Sequence, residues 1–285
     1  MISRNLPRDS RSCALVLFWL AMVGCAPATR YANDGPTESP TIQTLAKTEA
    51  RPSASPTRPP RPRALLVTEI QLLEELASQT PERASDRAQL LRRIAEDYVE
   101  LERAAHNDGV ARVVTEARAK AIKAYALLAT DHPDYPANDE VLFYLATEYE
   151  QSADLRNARK AYFELIQKAP ESRYVPEAYL AFGEMFFDEG ARDPSKWDLA
   201  LAAYRKVLTY PPPHNRVYGY ACYKLAWVLE NQGDRAGAIE AFNRAITFST
   251  EYATLSGSAK LGDAARVDIA ALEGEPSNAT HDDGT

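Results

Sequence analysis

Apolar side chains recur every three or four residues along most of the chain from residue 64 onward. Such spacing is typical of amphipathic helices that bury one face. The pattern predicts a helix over Ala64–Gln79, paired helices between residues 88 and 250, and a last helix over Ser256–Leu272. Alanine, the strongest helix former, occurs 47 times and glycine only 12 times. We therefore predict an all-α protein.

Three stretches of this pattern repeat one another, beginning at Asp139, Pro176 and Gly219. Position 4 is Leu142, Tyr179 or Cys222, position 7 is Leu or Phe, and position 8, where two helices cross closely, is Ala or Gly. These stretches resemble tetratricopeptide repeats (TPR), which are helix–turn–helix units of about 34 residues. The resemblance implies a right-handed solenoid of helical hairpins, which must stack because no hairpin buries its apolar face alone.

The repeats depart from the TPR pattern in their turns. Ala153 stands where the family has a turn glycine, and the second repeat has about five extra residues within Ala191–Leu199. A divergent hairpin upstream begins near Leu91 and ends near Pro133. Its roughly 14 extra residues are expected to lengthen the turn around His106–Gly109.

The amino terminus has the features of an export signal. Three arginines precede an apolar run of about 11 residues, Cys13–Val23, which is too short to span a bilayer and is typical of a secretory signal. The sequence Met22-Val23-Gly24-Cys25 resembles the bacterial lipobox. The resemblance implies cleavage before Cys25, lipidation of Cys25, and sorting to the periplasmic face of a Gram-negative outer membrane. The alternative is an ordinary secreted protein in which Cys25 follows the signal by chance.

Residues 26–63 contain eight prolines and show no helical or strand period, so we expect a disordered tether. The predicted organisation is a signal peptide (1–24), lipidated Cys25 with a Pro-rich linker (25–63), N-terminal helices with a divergent TPR-like hairpin (64–135), three TPR repeats (139–252), a capping helix (256–272) and a disordered tail (273–285).

Charge and residue chemistry narrow the range of functions. Residues 64–285 have a net charge of −12, which argues against a nucleic-acid-binding surface. Three cysteines and four scattered histidines offer no credible metal site. The sequence has no nucleotide-binding loop and no nucleophile elbow. We therefore predict a non-enzymatic protein without cofactor or metal.

The TPR resemblance implies that partners bind the concave face, at positions 2, 5, 9, 12 and 13 of each first helix. The candidate groove residues are Phe143, Thr147, Leu180, Glu184, Phe187, Tyr220, Tyr223, Trp227, Glu230 and Asn231. Aromatic and acidic side chains together suit a peptide that carries apolar anchors and basic residues. Alternatively, Tyr223 and Trp227 pack against neighbouring repeats or the capping helix.

The lipobox and the repeats together resemble outer-membrane TPR lipoproteins, among them components of gliding-motility, β-barrel assembly and Tol–Pal systems. This resemblance implies a scaffold that holds other cell-envelope proteins together. The long tether fits the gliding-motility type slightly better. The alternatives are a client-binding assembly factor for outer-membrane proteins and a Tol–Pal-type envelope-division partner.

Overall fold

The computed structural model describes residues 61–255 and 258–274. Outside these ranges lie the predicted signal peptide, the lipidation site at Cys25, nearly all of the predicted linker, and the predicted tail except for residues 273 and 274.

Within the described ranges the chain forms α-helices joined by turns, with no β-strand. The helices are α1 (Arg63–Gln79), α2 (Ser85–Asn107), α3 (Ala111–Asp131), α4 (Asn138–Gln151), α5 (Leu155–Lys168), α6 (Val175–Gly190), α7 (Lys196–Val207), α8 (Tyr218–Asn231), α9 (Arg235–Glu251) and α10 (Ser258–Gly274). Helices α2 to α9 form four consecutive hairpins, α2/α3, α4/α5, α6/α7 and α8/α9, between the first helix α1 and the last helix α10. The predicted all-α solenoid of stacked hairpins is confirmed.

Small residues let the two helices of a hairpin approach each other. Ala226 of α8 and Ala238 of α9 are fully buried. In the hairpin before them Gly183 takes the same role, since a Cβ atom there would lie within 3 Å of the Tyr204 ring. A larger side chain at any of these positions would force the helices apart.

In the hairpins α4/α5 and α8/α9 the turn between the paired helices contains a left-handed residue. Gly233 has φ +82° and Ala153, at the equivalent position of the first repeat, has φ +61°. Each turn ends in an aspartate that caps the next helix: the Asp154 carboxylate accepts from the Asn157 backbone N–H, and that of Asp234 from Gly237. Helices α5 and α9 therefore start from the same turn geometry.

The divergent hairpin differs from its prediction. Helix α2 has 23 residues and α3 has 21, whereas α4 and α5 have 14 each. The connection between α2 and α3 is only Asp108–Val110, with Gly109 at φ +71°. The expectation that the extra residues lengthen the turn was wrong. They extend both helices, because good helix formers continue up to Asn107 and resume at Ala111.

Buried side chains form two clusters that meet at α6. The first cluster extends from α1 into α6, where it includes Ala178 and Met185. The second includes Leu180 and Phe187 of α6 and continues to α10. Opposite faces of α6 therefore join the two halves of the core.

An ionic cluster fixes the segment just before α1. The Arg61 guanidinium donates to Asp97 and to Glu100, both at 2.6 Å, and also pairs with Glu69. The Asp97 side chain is fully buried, so it needs this partner. The predicted disordered linker therefore does not extend to residue 63: Arg61 is bound to α2 and Arg63 begins α1.

Candidate partner-binding surface

The candidate groove residues lie on the first helices of three hairpins, α4, α6 and α8, but several of their side chains point into the core. Phe143 is 2% exposed and Tyr223 is 0% exposed, and Leu180 and Phe187 are equally buried. None of these four presents a surface to a partner. Their assignment to the groove is therefore corrected to interhelical packing.

Neighbouring aromatic rings explain why Phe143 and Phe187 turn inward. The Phe143 ring stacks on that of Tyr174, which precedes α6, with 4.6 Å between ring centroids. The Phe187 ring meets Trp197 of α7 edge-on at 5.1 Å. Aromatic pairs of this geometry add to the stabilisation that burial gives. A bulky residue at position 5 of the first repeat and one at position 12 of the second thus fill gaps between helices.

Tyr223 is held by the capping helix, as in the alternative interpretation. Its hydroxyl donates to the Asp268 carboxylate of α10 at 2.6 Å, and its ring meets Phe242 of α9 at 5.3 Å. Trp227, one turn further along α8, contacts Phe242 edge-on at 5.8 Å but stays half-buried. Helix α10 therefore covers Tyr223 and leaves part of Trp227 accessible.

Glu184 is the centre of a polar network between the second and third repeats. Its carboxylate accepts hydrogen bonds from the hydroxyls of Tyr204 at 2.5 Å and Tyr220 at 3.3 Å. The Lys224 ammonium lies 3.4 Å from the same carboxylate and 3.6 Å from the centre of the Phe187 ring. Lys224 is 1% exposed, although a lysine in a first helix looks like a surface residue in sequence.

Thr147 also uses its side chain within the fold. Its hydroxyl donates to the Phe143 carbonyl at 2.9 Å, one turn back along α4. The side chain is half-buried, and it leaves room for a ligand without offering a strong contact.

Two polar atoms near the end of α8 have unused hydrogen-bonding capacity. The indole Nε1 of Trp227 and Oε2 of Glu230 are buried atoms without a hydrogen-bond partner among the residues the structure describes. Asn231 is half-buried and donates to the Trp227 carbonyl at 2.7 Å. A donor and an acceptor thus lie one helical turn apart. Leaving such atoms unpaired costs about 1–3 kcal/mol each, which a ligand with complementary groups would recover.

The first helices of the middle hairpins are strongly acidic. Helices α4 and α6 contain eight Asp and Glu and no Lys or Arg. Much of this charge is compensated within the fold. Burial tends to raise the pKa of Glu140, but hydrogen bonds from Tyr174 and Arg92 lower it below its ordinary value. Glu150 accepts from the Tyr162 hydroxyl at 3.1 Å.

Glu177, in the first turn of α6, differs from these paired acids. Burial raises its pKa to about 7, and Arg216 and Arg173, which precede α8 and α6, only partly offset this. Its Oε2 atom has no hydrogen-bond partner in the described part of the chain. Glu177 occupies position 2 of the second repeat, one of the positions that the TPR resemblance assigns to the concave face.

No metal-binding group of three or more His, Cys, Asp or Glu occurs within residues 61–255 and 258–274. In the same ranges no helix has the length and apolar character needed to cross a membrane.

Comparison with known proteins assigns the repeat. The sequence model of the tetratricopeptide repeat family matches residues 219–252, so the predicted third TPR repeat is confirmed. A search of curated proteins finds no match. The hairpin geometry of the described residues is that of a TPR-type solenoid, a fold that presents extended surfaces for binding other proteins.

Solved structures with similar folds include two of MamA. One is 21% identical, covers 63% of this chain and 86% of that chain, and has a TM-score of 0.41. The other is 22% identical, covers 58% and 92%, and has a TM-score of 0.38. The TPR-like repeats of a protein described as a kinesin light chain from Podospora anserina are 17% identical, with coverage of 74% and 96% and a TM-score of 0.40.

Proposed function

We propose that the chain is a non-enzymatic scaffold that binds a protein segment at the end of α8. The observation that carries the proposal is the unpaired Trp227 Nε1 and Glu230 Oε2 beside a partly accessible indole ring. Both atoms are buried in the free chain, so side chains at the end of α8 would have to move when the segment binds. A carbonyl of the segment would then accept from the indole N–H, and a basic side chain would pair with Glu230.

Conservative variants test this site without emptying the core. Trp227→Phe keeps an aromatic ring against Phe242 and removes the indole N–H, and Glu230→Gln removes the charge. We expect each variant to lower the recovery of co-purifying partners at least about fivefold, with little change in melting temperature.

Matched variants control for general effects of the same substitutions. Trp197→Phe makes the same change in the core, against Phe187, and Glu240→Gln removes an exposed carboxylate of α9. Both should retain the partner. Equal recovery from Trp227→Phe, Glu230→Gln and the controls would exclude this site.

We further propose that Cys25 carries lipid and anchors the chain to the periplasmic face of the outer membrane. Support comes from the arginine-rich start, the short apolar run, Gly24 before Cys25 and Ala26 after it. On this proposal the scaffold holds components of an envelope machine, and the long Pro-rich segment favours the gliding-motility type. Stable anchoring requires more than one acyl chain.

Cell fractionation tests the lipid anchor, and co-purification distinguishes a scaffold from a client-binding factor. Cys25→Ser should leave uncut precursor in the inner membrane, and its recovery with the outer membrane would contradict lipidation. A scaffold should yield a few partners at fixed ratio. Many outer-membrane proteins at low occupancy would indicate a client-binding factor instead.

A further inference from the structure

Charge is divided between the two helices of each middle hairpin. The first helices, α4 and α6, contain only acidic charged residues, whereas the second helices, α5 and α7, contain seven Lys and Arg against two Asp and Glu. In a repeat of helical hairpins the second helices line the opposite side of the stack from the first helices. The stack thus has an acidic side and a basic side although the chain as a whole is acidic.

Apolar side chains are exposed among these basic residues. On α5 the Phe163 ring is 54% exposed, and the exposed Arg156 and Lys160 lie within two turns of it on the same helix face. On α7, Leu199 is an exposed apolar residue, and the exposed Lys206 lies two turns further along the same face. Arg205, next to Lys206 in sequence, is also exposed. We call these six residues the outer basic face.

This combination suits a membrane surface. Lysine and arginine near a bilayer are attracted to anionic headgroups, and apolar side chains between them can enter the boundary with the acyl chains. A purely solvating charged face would not require an exposed phenylalanine at its centre.

We propose that the outer basic face docks on a bilayer that contains anionic phospholipid. A second copy of the chain is a poorer occupant, because its acidic counterpart is largely used internally. Glu140 is held by Tyr174 and Arg92, and Glu184 by two tyrosines and a lysine. The basic side chains on α5 and α7 would instead meet headgroup phosphates, with the first-helix face left open for a protein partner.

Lysine footprinting of the full chain on vesicles tests the proposal. The chain is mixed with phosphatidylcholine vesicles that contain or lack 30% phosphatidylglycerol, and acetylation of each lysine is measured by mass spectrometry. We expect labelling of Lys160 and Lys206 to fall at least about threefold on anionic vesicles only, and to recover at high salt. Lys260 of α10, which is also exposed, should label equally on both.

Charge reversal gives the matched control. Arg156→Glu with Lys160→Glu should abolish the protection of Lys206, whereas Lys260→Glu with Arg266→Glu, an identical change in net charge on α10, should keep it. Equal labelling on both vesicle types would overturn the proposal. Protection that rises with protein concentration without vesicles would overturn it in favour of self-association. The readout compares lipid charge alone, so it is independent of whether Cys25 carries an anchor.

Discussion

The carboxyl group of Glu177 lies where burial raises its pKa to about 7, well above the value of about 4.3 for an exposed glutamate. Between these two pH values the folded chain holds a proton at Glu177 that the unfolded chain has lost. Stability from this group is therefore full at acidic pH and declines as pH rises through 7.

Replacing this carboxyl group should remove that dependence. Glu177→Gln is neutral at every pH, so we expect the variant to be more stable than the parent at pH 8, by on the order of 1–3 kcal/mol. At pH 4.5 the two should be nearly equal. Urea unfolding at both pH values measures this, with Glu240→Gln as the exposed control. A loss of stability at pH 8 would mean that Arg216 and Arg173 keep Glu177 ionised.

At the scale of single residues, the sequence placed the candidate residues on the first helices but did not show the direction of every side chain. The register placed Phe143 and Tyr223 on first helices correctly. It could not show that Tyr174 and Asp268, which are 31 and 45 residues away in sequence, take up these side chains. Lys224 gave no indication of burial either, because its partners Glu184 and Phe187 come from another hairpin.

The turn between α4 and α5 offers a test at the scale of elements. Ala153 has φ +61° in a turn where the equivalent residue, Gly233, has φ +82°. Left-handed backbone costs a residue with a Cβ atom about 1–2 kcal/mol, part of which glycine loses again through its flexible unfolded state. We expect Ala153→Gly to raise the free energy of unfolding by about 0.5–1 kcal/mol in urea titration.

The reverse change in the third repeat is its control. A Cβ atom at Gly233 would meet no atom within 4 Å, so Gly233→Ala tests backbone strain alone and should destabilise by about 1 kcal/mol. Destabilisation by Ala153→Gly would show that the left-handed backbone of Ala153 does not strain the first turn.

Helix existence could be predicted from the sequence, whereas helix length could not. The helical spacing of apolar residues and the small residues at helix crossings place each hairpin, because both signals are read from residues three to eight positions apart in the sequence. The extra residues of the divergent hairpin contain both helix formers and the sequence His106–Gly109. Only the folded chain shows that one left-handed glycine suffices to close the turn and that the remaining residues extend α2 and α3.

Over the whole molecule, the hairpins contact mainly their immediate neighbours, and α6 joins the two core clusters. Stability in such a stack is close to a sum of terms for each hairpin and each junction. The acidic and basic sides belong to the two middle hairpins, α4/α5 and α6/α7, and on the proposals above the basic side meets a membrane while the first-helix side stays open for a protein. A destabilising substitution at one end should therefore lower the stability of nearby hairpins more than that of distant ones.

Hydrogen exchange of two core variants measures how many hairpins lose amide protection when one hairpin is destabilised. Phe242 belongs to the second cluster and Leu128 to the first, and both are fully buried. Each change to alanine should cost about 2–5 kcal/mol locally. We expect Phe242→Ala to reduce amide protection in α8 and α9 and Leu128→Ala in α2 and α3, while α6, which shares both clusters, responds to either. Uniform loss of protection across all hairpins in both variants would instead show that the solenoid unfolds as a single cooperative unit, and the junction at α6 would then have no separate role.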